Sequence, residues 1–317
     1  MLGKKILAVA VLVGVFDFST PGISAAEGFV ESILAGKPII NLRYRFEHVD
    51  QDGLPEDANA STLRSRLGYE TQAYKNFYVL VELESVFSIG KERFNDTING
   101  KSDFPVVADP ETTELNQGFL NFDGLPDTSL RFGRQRIVLD NQRFVGAVGF
   151  RQNEQTFDAF SLINQSLPDT SVRYAYIFNV NRIFGDDSPV GDFDANAHLV
   201  NISYDGLPWG TLTGYAYLVE LEDAQTLSTQ SYGLRLSGSH RFRFNRDLAV
   251  VYAAEFAHQR DYGGNPGDFE ANYYLLEPGI SIDDLTIKFG YEVLDGDGTH
   301  SFQTPLATLH AFNGVTD

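Results

Sequence analysis

Cysteine is absent from all 317 residues. That excludes a disulfide framework, a Cys-ligated zinc or iron–sulfur site and a cysteine nucleophile. It also suits the periplasm and outer membrane, where a stray thiol is an oxidation hazard. Tryptophan occurs once, and the single methionine is the first residue. Basic residues are scarce: 24 Lys and Arg stand against 43 Asp and Glu, a formal charge of −19. A field of that sign repels a polyanion, so no nucleic-acid partner is expected. Catalytic signatures are missing as well. There is no Gly-x-Ser-x-Gly elbow, no His-Glu-x-x-His and no Gly-Lys-Ser/Thr phosphate loop. His48, His198, His240, His258, His300 and His310 show no ligand spacing. No enzyme, cofactor or metal is expected on these grounds.

Long apolar runs are also lacking, with one exception at the start. Lys4 and Lys5 precede an apolar stretch from Ile6 to Phe16, and Ser24-Ala25-Ala26 follows as a small-residue cleavage site. This is the pattern of a secretory signal peptide, and about eleven apolar residues are too few to cross a bilayer as a helix. Residues 1–26 are therefore expected as a signal peptide and 27–317 as the exported domain, starting near Glu27. No cysteine follows for lipid anchoring.

The abundant residues are β-formers, with 25 Phe and 15 Tyr. Aromatic and β-branched side chains suit a pleated, half-buried surface. After residue 26 the chain alternates in polarity. Ile40, Leu42, Tyr44 and Phe46 interleave with Arg43, Arg45 and Glu47, and Leu63, Leu67 and Tyr69 with Arg64 and Arg66. Phe77, Val79, Val81 and Leu83 interleave with Glu82 and Glu84. Similar segments recur near 172–179, 232–237, 252–256 and 285–292. Period two places each set on one face of a strand. About thirteen such segments precede residue 296, within the range of bacterial membrane barrels.

A soluble β-sandwich alternates too, but the connections argue against it. Short turns at 74–76, 123–127, 164–169, 205–208, 243–247 and 283–284 take turns with long polar connections. The long ones lie at 50–61, 88–113, 137–155, 179–197, 220–229, 258–272 and from 295 onward. Strict alternation of short and long is what periplasmic turns and extracellular loops produce. The second face, rich in Arg, Glu, Asn and Gln, suits a wet lumen better than a dry core. The expected fold is all-β: an antiparallel up-and-down transmembrane β-barrel in the bacterial outer membrane, with outer-membrane lipid around it.

Arg43, Arg45, Arg64, Arg66, Arg131, Arg173, Arg235 and Lys288 are the candidate lumen residues. A cationic ladder would draw an anionic solute. Glu47, Glu70, Glu82, Glu84, Glu255 and Glu292 share the face, however, so structural ion pairing stands as the alternative. In the connection 137–155, Asp140, Asn141, Gln142, Arg143, Arg151 and Asn153 supply an unusual density of hydrogen-bonding groups. Folded inward, that loop would be a constriction; folded outward, a cap on the rim. The acidic runs at 50–53, 186–194 and 295–298 complete no calcium loop and are read as solvated.

The segments Leu42–Glu47 and Leu63–Glu70, Gly133-Arg134-Gln135 and Asp140–Gly146 are similar to the alginate-export family of outer-membrane porins, from about residue 38 onward. The resemblance implies a barrel of about 16–18 strands with an aqueous channel. It also implies passive diffusion of anionic polysaccharide or smaller anionic solutes. Measured against that pattern, the chain ends at Val315-Thr316-Asp317 without a closing strand, and is read as truncated at its C-terminus. Insertion would use the barrel-assembly machinery. Two other functions stay open: a structural or adhesive outer-membrane barrel, and a non-functional truncated porin.

Overall fold

The computed structural model describes residues 4–15, 28–243, 247–309 and 312. The proposed cleavage site Ser24–Ala26 with Glu27, turn residues 244–246, His310 and the end of the chain at 315–317 lie outside the described residues. Strand β1 (Lys4–Val15) and the short helix α1 (Phe29–Leu34) come first. There follow β2 (Lys37–Gln51), β3 (Ala58–Glu70), β4 (Phe77–Ser88), β5 (Thr112–Leu125), β6 (Thr128–Gln135), β7 (Thr156–Asn164) and β8 (Thr170–Asn181). The sheet continues through β9 (Asp192–Leu207), β10 (Gly210–Leu221), β11 (Thr229–Arg243), β12 (Asp247–Asp261), β13 (Glu270–Ile282), β14 (Leu285–Lys288) and β15 (Tyr291–Leu294). Each strand is antiparallel to its sequence neighbour, from β1 to β14 in order, with β15 beside β13.

The alternation read from the sequence becomes two faces of this sheet. Leu67, Val81, Leu83, Phe132, Leu234 and Leu276 are exposed on one side, while Arg43, Arg45, Arg64, Arg66, Glu82 and Glu84 are buried on the other. An apolar face exposed across so many strands is the surface that meets lipid. Small registry faults between Glu82 and Leu83, in mid-strand, and between Ile177 and Asn179, near the long-loop end, mark bulges. They let the strand bend.

The closed transmembrane β-barrel expected from the sequence is not what forms. Among the described residues β1 pairs only with β2 and β14 only with β13, so the sheet is open, with two free edges. Segment 285–292, expected as one strand, runs along β13 in a single register from Leu285 to Leu294; the Phe289 N–H donates to the Pro278 carbonyl at 2.9 Å, and Pro278 has no N–H to return the bond. Beyond Leu294 the chain turns back, with Phe302 N–H donating to the Asp295 carbonyl. It then runs inward, where Val145 and Leu306 form an isolated parallel bridge. Among the described residues no strand lies between that edge and β1. The backbone of β1 covers much of the stretch expected as the signal's apolar run, with Lys4 opposite Gln51 and Val15 opposite Asn41.

The inner face of the sheet is filled rather than empty. The connection 136–155 leaves β6, touches β2 and β3 through Gln152, and touches β10 and β13 through Phe144. Strands far apart in the sheet thus face one loop, so the sheet curls around it. The main apolar cluster joins Ile137, Leu139 and Val145 of this loop to Tyr215, Tyr217 and Tyr273 of the wall and to Phe302 and Leu306. A smaller cluster, Val49, Ala58, Ala60, Phe94 and Val107, closes the long-loop end.

Gly133 explains part of the Gly133-Arg134-Gln135 motif. Its φ is +123, a conformation L side chains rarely adopt, and a Cβ there would overlap the Gly118 carbonyl on β5. Gly133→Ala is expected to destabilise the sheet by about 1–3 kcal/mol. Circular dichroism on heating in detergent should show a lower midpoint; an unchanged midpoint would contradict this reading of the motif.

Candidate functional site: the inward-folded loop and the cleft beside it

Strand β6 ends at Gln135, whose side-chain amide donates to the Ala159 carbonyl of β7 at 2.9 Å. The chain then turns inward through left-handed conformations at Asp140 (φ 49), Gln142 (φ 67) and Val148 (φ 51). Both sides of the loop are tied down. Toward β2, Arg43 Nε donates to Gln152 Oε1 at 2.8 Å, and its Nη1 to the Gly149 carbonyl at 2.7 Å. Gln152 Nε2 in turn donates to Thr62 Oγ1 at 2.8 Å.

Arg45 pairs with Glu47 at 2.5 Å and with Asp109 at 2.6 Å, and lies 4.1 Å from the centre of the Phe150 ring. Asp109 accepts the Gln152 N–H as well, at 2.8 Å. Arg66 pairs with Glu84 and, at 3.2 Å, with Glu154. Arg136 pairs with Glu154 from within the loop, and Asn116 donates to the same carboxylate at 2.8 Å. Charges taken out of water need such partners: Arg45 and Arg66 have carboxylates, Arg64 lies 3.8 Å from Glu84, and Arg43 is held by neutral acceptors alone.

Toward the other wall the contacts are fewer. Arg143 donates to Glu292 at 2.8 Å, and Tyr273 donates to the same carboxylate at 2.7 Å. Thr308 donates to Gln142 Oε1 at 3.0 Å, and Gln155 Nε2 to the Leu306 carbonyl at 3.0 Å. Phe144 inserts among Tyr215, Tyr217, Tyr273 and Phe302 with ring centroids 5.2 to 6.1 Å away.

Electrostatics distinguish the two ends of the loop. Burial pushes the Glu154 carboxyl up, but Arg66 and Arg136 outweigh it and hold the group below the ordinary glutamate range. Asp140 reaches solvent at one edge and is crowded by protein elsewhere. That crowding raises its carboxyl, against the opposing pull of the Asn201 hydrogen bond, Arg235 and Arg173. Glu154 is thus a fixed anion, whereas Asp140 titrates more easily.

Beneath Asp140 and Asn141 a cleft of about 370 Å³ separates the loop from β8–β11. Arg173, Asn201, Thr213 and Arg235 line it. Val138 and Arg173 also border a smaller cavity of about 130 Å³ that reaches Arg131 and Arg136. Arg235 is engaged by Glu255 at 2.5 Å, while the buried Nε of Arg173 has no hydrogen-bond partner.

The residues expected to line a lumen therefore divide. Arg43, Arg45, Arg64 and Arg66 are buried in the wall-to-loop network. Arg131 donates to Asn121 at 3.1 Å and to the Tyr78 hydroxyl at 3.3 Å, and Lys288 pairs with Glu277 near the free edge. Arg173 and Arg235 border open space. Of the loop residues, Asp140 and Asn141 face the cleft. Gln142 and Arg143 hold the far side, while Arg151 and Asn153 are buried, Arg151 lying 3.5 Å from Glu47. Sequence reasoning missed Asp109 and the inward segment 302–308. Among the described residues no three His, Asp or Glu side chains gather as a metal site.

A family model described as "Alginate export" matches residues 39–266. No curated protein matches the chain by sequence at a significant level. Solved structures do share its fold. The outer membrane protein OpdK of Pseudomonas aeruginosa is 14% identical with a TM-score of 0.60, over 81% of this chain and 66% of that one. OccAB3 of Acinetobacter baumannii is 14% identical with a TM-score of 0.65, over 82% and 67%. A structure of OpdK with vanillate is 12% identical with a TM-score of 0.62, over 82% and 67%. The chain thus spans about two thirds of the length of these structures.

Glu154 is the most connected anion of the loop, and removing its charge leaves Arg136 without its carboxylate and Arg66 with Glu84 alone. Glu154→Gln is expected to cost about 3 kcal/mol and to open the loop to protease. Its folded carboxyl lies below the unfolded value, so this stabilisation is present above the ordinary glutamate range and is lost as pH falls through the depressed value. Thermal unfolding at neutral and acid pH checks both statements. Equal stability of the variant and parent at neutral pH would contradict them.

Proposed function

Because this chain belongs to the alginate-export family, we propose that it passes small anionic solutes along the cleft between the inward loop and β8–β11. It is a porin-type protein of the bacterial outer membrane, and not an enzyme. The division of the arginines supports anion passage along the cleft. Arg45, Arg64 and Arg66 are paired with Glu47, Glu84, Asp109 and Glu154, and Arg43 is held by Gln152 and loop carbonyls, so all four serve structure. Arg173 lines the polar opening with no ion pair among the described residues, so a carboxylate or sulfate oxygen in the cleft would find a charged donor.

The size of the opening argues for the class of solute. A cleft of about 370 Å³ is at the lower end of small-molecule sites. It suits a monomeric acid better than a polymer, and a polysaccharide would need the loop displaced. That OpdK was solved with vanillate, an aromatic carboxylate, supports the same class. A second reading is a structural, non-conducting outer-membrane protein. It is supported by the two free edges and by the inward segment 302–308 that fills space beside the loop. Unpaired edge groups in hydrocarbon cost several kcal/mol each, so a conducting form needs both edges covered.

Planar-bilayer recording of the refolded chain in a salt gradient tests the choice. Discrete steps with anion preference are expected, and Arg173→Gln should move the reversal potential toward zero. Absence of any conductance would overturn the solute reading and leave the structural one.

The pH dependence follows from Asp140. Facing it are Arg173, Arg235, Tyr217 and, through Arg235, Glu255. As pH falls through its raised value the carboxyl becomes neutral and the cleft becomes more positive. Anion preference should therefore grow on acidification, beginning above the usual aspartate range of about 4. Asp140→Asn should remove the step, and a step that persists in that variant would contradict the assignment.

A further inference from the structure

Helix α1 leaves four large apolar side chains uncovered. Phe29, Val30 and Leu34 are 62%, 65% and 78% exposed, and Ile33 is 41% exposed. At helical spacing they form one continuous arc, with Glu31 and Ser32 on the remaining side. The docked side is defined by Ser32, which is buried and whose carbonyl accepts the Gln72 N–H at 2.9 Å. The Tyr69 hydroxyl donates to the Ile33 carbonyl, and the Phe29 ring meets Tyr74 edge-on at 5.9 Å.

The position of Tyr69 decides which side of the wall the helix occupies. Tyr69 alternates along β3 with the inward Arg64 and Arg66, so it belongs to the outward, lipid-facing set. The helix therefore sits under the outer side of the sheet, at its short-turn end. Close by, outward Phe77 and Phe122 pack with ring centroids 4.4 Å apart, and Leu67 is exposed above them. Lys37 and Lys75 are exposed on either side.

We propose that α1 is an interfacial anchor that lies in the headgroup layer of the phospholipid leaflet at the short-turn end, its apolar arc resting on acyl chains. Phospholipid fits because the arc continues the lipid-facing band of β3 and β4, and because Lys37 and Lys75 would meet phosphate oxygens. A protein partner fits poorly. Four side chains of a six-residue helix fall far short of the roughly 1,000 Å² that a specific interface needs.

The test uses the full chain refolded into phosphatidylcholine–phosphatidylglycerol vesicles, some with bromine at shallow acyl positions. Trp209 is the only tryptophan, so Phe29→Trp in a Trp209→Phe background reports from the helix alone. Val30→Trp in the same background serves as a second reporter, because Val30 makes no ring contact with Tyr74. Emission shifted to the blue, quenched by shallow bromine and shielded from iodide is the expected result. Quenching by iodide with no effect of bromine would overturn the proposal. Protection from both quenchers would also overturn it, since it would mean that protein covers the arc.

Discussion

Charge that is taken out of water must be matched, and the interior of this protein is organised around that constraint. The period-two pattern of β2 and β3 turns Arg43, Arg45, Arg64 and Arg66 to the inner face of the sheet. The walls alone do not supply enough partners for them. Asp109 comes from the long connection before β5, and Glu154 and Gln152 come from the loop after β6. The loop is therefore inside because the arginines are, and its backbone carbonyls at 149 and 151 complete the set.

Other features follow from the place of that loop. With one end held by Arg43 and Arg66, the other carries Phe144 into the tyrosines of β10 and β13. Thr308 and Leu306 then bond to the loop rather than to the sheet, which draws the chain away from the edge at β14. The cleft under Asp140 is the space left between a loop held on the β2–β5 side and a wall that curves away from it. The open edge and the open cleft are thus linked to the same network. On the outside the logic is simpler, since Leu67, Leu83, Leu234 and Leu276 need no partner but lipid.

Much of this was legible in the sequence, and the limits have physical causes. Alternation identified the strands and their two faces, because side chains of a strand must point in opposite directions. Loop lengths identified the two ends. The dense connection 137–155 was compatible with an inward constriction or a cap on the rim, and its residues lie against the inner face. Closure was not legible, because period two says which face a residue takes and nothing about which strands meet at the edges. The expectation of a closed barrel failed at the sheet edges: alternation and pairing with β13 continue to Leu294, but among the described residues no strand beyond it meets β1.

The roles of single arginines were equally hidden. Arg45 and Arg173 look alike in the pattern, yet Asp109, 64 residues away from Arg45, neutralises only the first. The inward segment 302–308 carries ordinary residues, and only the folded chain shows Phe302 and Leu306 inside.

The central claim is that the loop is locked to the wall by these buried pairs. Amide hydrogen exchange of the refolded chain, read for residues 149–155 against β2 and β3, tests it most directly. Protection of the loop amides close to that of the two strands, and much above that of the exposed turn at 51–57, is the result the account predicts. Exchange of 149–155 as fast as that turn would mean that the arginines do not hold the loop, and would contradict the account.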